Sequence, residues 1–278
     1  MPDAPVYSFS TMGLAKAGEI ELSYERGGDG PPLLMIMGMS GTKHHWGDRV
    51  LEELRRDFDT IAYDHRDAGD STKTGQPFAI ADLAGDAADL MEALDLDSAH
   101  VMGISMGGMV AQELALAHPE RIRSLTLGCT YCGGEGSLLA GEDVMRRLAE
   151  GMASGNREQA IRTAWEVNVS PSFADDDDAY ATFLERGLRY AMPVAVIMEQ
   201  MRAITAHDTS ARLPGLNLPT LLVHGTLDQM LPVENGHMIA ELIPNARLEI
   251  LEGIGHMFFL ELPERTAELV REHAAVNA

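Results

Sequence analysis

A serine hydroxyl attacks carbonyls only when its surroundings activate it, so the residues around each serine are the first place to look for chemistry. Gly103-Ile104-Ser105-Met106-Gly107-Gly108 follows the strand-like His100-Val101-Met102 and precedes a helical run from Met109 to His118. A side chain presented on so sharp a strand-to-helix turn has a strained backbone, and bulk two positions before or after it would strike the neighbouring strands. Glycines stand at both places, and Gly108 eases the approach further. The first N–H groups of the helix then face the serine, so negative charge growing on an attacked carbonyl meets the positive end of a helix dipole. Ser105 is the candidate nucleophile.

The other polar clusters carry less. Cys129 and Cys132 are the chain's only cysteines. Their Cys-x-x-Cys spacing lacks the surroundings of a thioredoxin turn or the further ligands of a zinc site, so a reduced, packed pair is expected. Asp175-Asp176-Asp177-Asp178 lacks the alternate ligand spacing and turn glycine of a calcium loop and reads as the solvated N-terminus of a helix. His44-His45 reads as a surface or pocket-rim pair, because adjacent residues rarely aim at one ion. No metal and no cofactor is expected.

The surrounding elements alternate short apolar runs with amphipathic stretches, the pattern of a sheet covered by helices on both faces. Strands are predicted at Glu19 to Glu25, Leu33 to Met37, Thr60 to Tyr63, Ala99 to Met102, Ser124 to Leu127, Pro219 to His224 and Arg247 to Leu251. Helices are predicted at Asp48 to Phe58, Ile80 to Leu94, Met106 to His118 and from Pro263 onward. From about Ala140 to His207 the strand signals vanish and four helical stretches follow one another. The expected organisation is an α/β core over residues 1–132 and 214–278, with a helical cap over 133–213 placed above one edge of the sheet.

With 278 residues, 45% of them in the hydrophobic set and 23% charged, the composition is that of a globular protein. The net charge of −22 repels phosphate backbones and anionic lipid surfaces, so neither nucleic acid nor membrane is an expected partner. Met1-Pro2-Asp3-Ala4-Pro5 lacks the basic and apolar regions of a signal peptide, and no apolar run approaches membrane-spanning length. A cytoplasmic protein acting on a small molecule is expected, with self-association left open.

The Ser105 turn in this setting resembles that of the α/β-hydrolase superfamily, and the likeness runs from the Leu33 strand to the C-terminal helix. It implies that fold, a mostly parallel central sheet with helices on both faces and a helical cap insertion. It also implies a chain order of serine, acid, histidine. His224-Gly225-Thr226-Leu227-Asp228 then looks like the acid loop and Gly253-Ile254-Gly255-His256 the histidine loop, giving Ser105, Asp228 and His256. His256 would move the serine proton, and Asp228 would fix its tautomer and stabilise the imidazolium. Asp208 is a fallback acid, and His224 is expected to be packed or hydrogen-bonded. By the same resemblance the oxyanion hole would use the backbone N–H groups of Met106 and Met39; the family often has histidine-glycine where this chain has Met37-Gly38. Asp64 and Arg66, in Tyr63-Asp64-His65-Arg66, are read as structural. The same stretches are similar to those of the aclacinomycin methylesterase and 3-oxoadipate enol-lactonase types.

A serine at the turn argues against the dehalogenase and epoxide hydrolase branches, which resemble this fold but use aspartate there. The expected reaction is acyl transfer to water from a small, moderately apolar ester or lactone. Gly38, Met230 and Met257 are candidate pocket residues among the methionines that crowd these motifs. An enol-lactonase would instead need a cap cation such as Arg186, Arg189 or Arg202 for a substrate carboxylate. Carbon–carbon hydrolysis, cofactor-free perhydrolysis and a ligand-binding receptor on the same fold are the alternatives.

Overall fold

The structure, a computed structural model, describes residues 10–276; the Met1 to Pro5 stretch discussed above lies outside them. The described residues form one eight-stranded sheet in the order β1-β2-β4-β3-β5-β6-β7-β8. Its strands are β1 (Thr11–Ala17), β2 (Ile20–Gly27), β3 (Pro32–Ile36), β4 (Asp59–Tyr63), β5 (Ala99–Ile104), β6 (Ile122–Gly128), β7 (Thr220–Gly225) and β8 (Arg247–Leu251). Only the pairings of β1 with β2 and of β2 with β4 are antiparallel. The others are parallel, so β3 through β8 all end on one edge of the sheet. In a parallel sheet that edge is where loops collect and ligands bind.

Alternating side chains feed two separate cores. Leu34, Ile36, Val101 and Leu222 pack on one face with α2 (Ile80–Ala93) and α3 (Met106–Ala117). Leu33, Met35, Met102 and Val223 pack on the other with α1 (Asp48–Leu54) and the C-terminal helix. Burial on both faces explains why these strands read as apolar runs without alternation. β1 is an addition to the predicted elements: it is an edge strand with mostly exposed residues, so its sequence carries little apolar signal.

Between β6 and β7 lie α4 (Glu142–Ala153), α5 (Arg157–Asn168), α6 (Pro171–Ala174), α7 (Asp177–Arg189) and α8 (Val194–Thr205). Buried Trp165 centres this insertion, with the rings of Phe173 and Phe183 at 5.4 and 5.1 Å. The aspartate run does open a helix: Asp176 caps α7 by accepting from the Ala179 N–H at 2.9 Å. After β7 come α9 (Glu234–Leu242), α10 (Phe258–Glu261) and α11 (Pro263–Val276), with Pro263 at the start of α11 and Leu269 and Val270 on its buried face. Among the described residues no helix is long and apolar enough to cross a membrane.

The loops at the strand ends are pinned by buried charge. Lys43 Nζ lies 2.6 Å from Asp64 Oδ2, both side chains fully inaccessible, and Asp64 also accepts from the Lys43 and Asp70 backbone N–H groups. Arg66 grips Asp86 of α2 with two bonds of 2.6 Å. Asp64 and Arg66 are thus structural residues of the kind the sequence suggests. Removing one member of a buried pair strands the other, at a cost of about 3–5 kcal/mol. Lys43→Met should lose stability on that scale in urea unfolding; an unchanged midpoint would mean that the backbone donors alone satisfy Asp64.

Candidate active site

Ser105 follows directly on β5 and precedes the first residue of α3, with φ 54° and ψ −125°. That backbone region is unfavourable for a residue with a Cβ, so the surroundings must hold it there. Two bonds do so: the Ser105 N–H donates to Gly128 O at 2.8 Å, and Thr130 Oγ1 donates to Ser105 O at 2.7 Å. The flanking glycines have the steric cause the sequence implies. A Cβ at Gly103 would sit 2.2 Å from Gly107 O, one at Gly107 2.0 Å from Ile36 O, and one at Gly108 2.6 Å from the Thr130 side chain.

Asp228 lies three residues beyond β7 and His256 five beyond β8, on the same sheet edge as Ser105. Their loops are stitched together, with Leu227 N–H donating to Ile254 O at 2.9 Å and Gly253 N–H to Thr226 Oγ1 at 2.9 Å. Gly225 permits this approach, because a Cβ there would meet Ile254 O at 2.3 Å. His256 Nδ1 stands 2.7 Å from Asp228 Oδ2, and both residues are buried. A carboxylate can only accept, so Nδ1 carries the proton and Nε2 is left as the basic nitrogen. Asp228 Oδ1 accepts from the Met230 and Leu231 N–H groups at 2.8 and 2.9 Å, and His224 Nε2 lies 3.3 Å from Oδ2 while donating to Leu231 O at 2.7 Å. Burial pushes the Asp228 carboxyl upward, but the charge of His256 and the bonds from His224 and His256 outweigh it and hold the group well below the usual range.

The loop after β3 runs against the serine: a Cβ at Gly38 would lie 3.0 Å from Ser105 Cβ. Two side chains that the sequence reading did not single out support it. Buried His65 donates from Nε2 to Met37 O at 2.9 Å, and burial lowers its pKa, keeping the ring neutral. Gln200 of α8 accepts the Ser40 N–H on Oε1 at 2.9 Å, where Ser40 has a left-handed φ of 60°. Both supports reach the loop from other elements of the chain. The N–H groups of Met39 and Met106 engage no hydrogen bond among the described residues.

Of the other predicted residues, Met230 is partly buried and tied to Asp228 through its N–H, and Met257 packs partly buried against the core that holds Leu33, Met35 and Met102. Asp208 is exposed and spends its carboxylate on Ser210. His44 stacks on Tyr190 at 4.0 Å, and His45 Nδ1 faces the Thr42 N–H at 3.0 Å, with burial lowering its pKa to about 4. The cations of the helical insertion are engaged: Arg186 with Asp48 at 2.7 Å, Arg202 with Glu199 at 2.9 Å, and Arg189 over the Tyr190 ring. Both cysteines are free and buried. Cys129, directly after β6, brings Sγ into a group with Asp228 and His256 whose nearest ligand atoms lie within 4.8 Å of one another. Burial and the Asp228 charge raise its thiol well above the usual range, so it stands as a neutral neighbour of the carboxylate.

The helical insertion is hydrogen-bonded to these loops. Met257 N–H donates to Asn168 O at 2.8 Å, and Glu261 Oε1 accepts both the Gly255 and Ser170 N–H groups, at 2.9 and 3.0 Å. A hollow of about 410 Å³ beside Glu261, walled by Trp165, Phe183 and Phe259, is lined by neither Ser105 nor His256.

The depressed titration of Asp228 has a definite consequence for stability. A carboxyl whose folded pKa lies below the unfolded value of ~3.9 contributes its full stabilisation above that pH and loses it as the pH falls further. Asp228→Asn should therefore be less stable than wild type at pH 7, with the gap in urea midpoints narrowing as the pH drops below ~4. A gap that stays constant on acidification would contradict this assignment of the charge.

The sequence model of the alpha/beta hydrolase fold matches residues 31–263. The chain is 30% identical over 260 residues to the putative carbamate hydrolase RutD of Azorhizobium caulinodans, covering 93% of this chain and 97% of that protein. It is 27% identical to the pimeloyl-[acyl-carrier protein] methyl ester esterase of Aeromonas hydrophila, over 91% of this chain and 99% of that one. Its structure superposes on the esterase RhEst1 from Rhodococcus sp. ECU1013 with a TM-score of 0.83 at 25% identity, covering 96% and 99% of the two chains. With the strand order, the serine turn and the matched span in agreement, this chain belongs to the α/β-hydrolase fold family.

Proposed function

We propose that the chain is a serine hydrolase that cleaves a small, moderately apolar carboxylic ester or lactone through an acyl-enzyme on Ser105. The observation that carries this reading is the 2.7 Å bond between His256 Nδ1 and the buried Asp228 carboxylate, on the sheet edge where the Ser105 turn emerges. Nε2 of His256 takes the Ser105 proton as Oγ attacks the carbonyl carbon, and returns it to the departing alkoxide. Water then attacks the acyl-enzyme with the same proton relay in reverse order, releasing the acid. Asp228 stays ionised throughout and stabilises the imidazolium. The unspent N–H groups of Met39 and Met106 receive the oxyanion of each tetrahedral intermediate. Each step is proton or acyl transfer, so the scheme calls for no cofactor.

Residues 133–213 serve in this reading as a cap over the strand-end loops, and Gly38, Met230 and Met257 line the acyl pocket. The pairing of Arg186 and Arg202 with acidic partners favours an uncharged acyl group over one bearing a carboxylate. The names of the relatives, a putative carbamate hydrolase and a methyl ester esterase, support cleavage of an acyl–heteroatom bond.

Nitrophenyl esters of short fatty acids should be turned over by the wild type, with covalent labelling by a fluorophosphonate at Ser105. Ser105→Ala and His256→Ala should each lower kcat by ~10⁴-fold or more, because members of such a unit are lost together. Near-normal turnover in His256→Ala would remove the proton relay, and a folded but unlabelled Ser105 would favour a binding role for the fold.

A further inference from the structure

His256 is flanked by two backbone N–H groups, and both are tied to the helical insertion. Met257 N–H donates to the carbonyl of Asn168, the last residue of α5, at 2.8 Å. Gly255 N–H donates to Glu261 Oε1 at 2.9 Å, and the same oxygen accepts the N–H of Ser170, the N-cap of α6, at 3.0 Å. The approach is close enough to require a glycine: a Cβ at Gly255 would lie 2.6 Å from Val169 C and 2.7 Å from Ser170 N. The short helix α10, anchored by buried Phe258 and Phe259, turns the chain back so that residue 261 reaches residue 255. Among the described residues Glu261 forms no ion pair, and its carboxylate is spent on those two backbone donors. It is half-buried at the edge of the hollow walled by Trp165, Phe183 and Phe259, so the charge keeps contact with solvent. N–H groups in irregular segments must find acceptors, and an ionised acceptor makes bonds roughly twice as strong as a neutral one.

We infer that Glu261 is a positioning residue for His256: one carboxylate oxygen ties the backbone before the histidine to the start of α6 and thereby sets where the imidazole stands relative to Ser105. This deepens the serine hydrolase reading and rests on it. Asp228 fixes the ring at Nδ1, but a ring held at one nitrogen can still swing about that bond, so the aim of Nε2 depends on the backbone that carries it. That backbone has freedom to lose, with Gly253 at a left-handed φ of 76° and Gly255 two residues on. The bonds from Gly255 to Glu261 and from Met257 to Asn168 remove this freedom on either side of the histidine. In this assignment Glu261 acts only through the histidine loop. The proton relay is therefore aligned while Ser170 is seated on Glu261, and a displaced insertion leaves the imidazole free to drift.

The test compares three substitutions in the full chain, with short-chain nitrophenyl esters as substrates. Glu261→Ala removes the acceptor, and Glu261→Asp keeps the charge but withdraws it by one methylene. Both should lower kcat by about 10- to 100-fold, the scale of a misplacement near 1 Å, while KM stays close to wild type. Glu261→Gln keeps an acceptor oxygen at full reach without the charge, and should hold kcat within about 3-fold of wild type because only bond strength is reduced. The aspartate variant covers the case in which the alanine variant does not fold. Wild-type kcat in both the alanine and aspartate variants would overturn the assignment. So would a glutamine variant as slow as the alanine one, since the charge and not the reach of the acceptor would then be what matters. If wild type turned over no ester and matched Ser105→Ala, the hydrolase reading would fall instead. Hydrogen–deuterium exchange over residues 252–258 would then still decide whether Glu261 holds the histidine loop. Faster exchange is expected in the alanine and aspartate variants and wild-type exchange in the glutamine variant; equal exchange in all four proteins would overturn the positioning role.

Discussion

The backbone at Ser105 is the constraint on which the site depends. A serine at φ 54° between a strand and a helix is locally unfavourable, and it persists because β3, β6 and α3 leave it no alternative. The carbonyls of Ile36 and Gly107 occupy the space where side chains at Gly107 and Gly103 would be, so the strands can close to hydrogen-bonding distance only around glycine. The same closeness brings the loop after β3 against the serine. Strain, tight packing and a polarised helix end are three consequences of one turn.

Around that turn the sheet edge gathers charge that could not be tolerated without partners. The Asp228 carboxylate is buried, yet backbone N–H groups at 230 and 231 and the rings of His224 and His256 surround it, so its ionised form is favoured despite the loss of water. The Lys43–Asp64 pair plays the corresponding role in the neighbouring loops. In both places the carboxylate organises backbone donors as much as it pairs with a cation. A loop held by its own N–H groups cannot drift without exposing a buried charge, which is how residues on irregular segments acquire the fixed positions that proton transfer demands.

The helical insertion is joined to the core at the loops that matter to the site. Asn168 and Ser170 meet the Gly255 to Met257 segment, and Gln200 meets Ser40. Movement of the insertion would therefore be felt at His256 and at the loop facing Ser105 together. Binding over the sheet edge and readiness for chemistry are coupled by these contacts in the proposed mechanism.

The sequence by itself determined whatever rests on local periodicity and sterics. The apolar runs of β3 to β7, the helices with a buried stripe and the glycines around Ser105 follow from contacts within a few residues or from burial common to a whole strand. That Asp228 and His256 meet was legible through their order along a recognisable fold. The edge strand β1 was not, because a strand with one neighbour and a mostly exposed surface needs few apolar residues. Only the tertiary structure decided that His65 holds Met37 O, that Cys129 stands beside Asp228, and that Gln200 reaches Ser40. A polar residue on the apolar stripe of a helix announces that it will be buried, but the stripe's period carries no information about the partner. That partner is fixed only when parallel strands bring their ends, and the insertion between two of them, to the same edge.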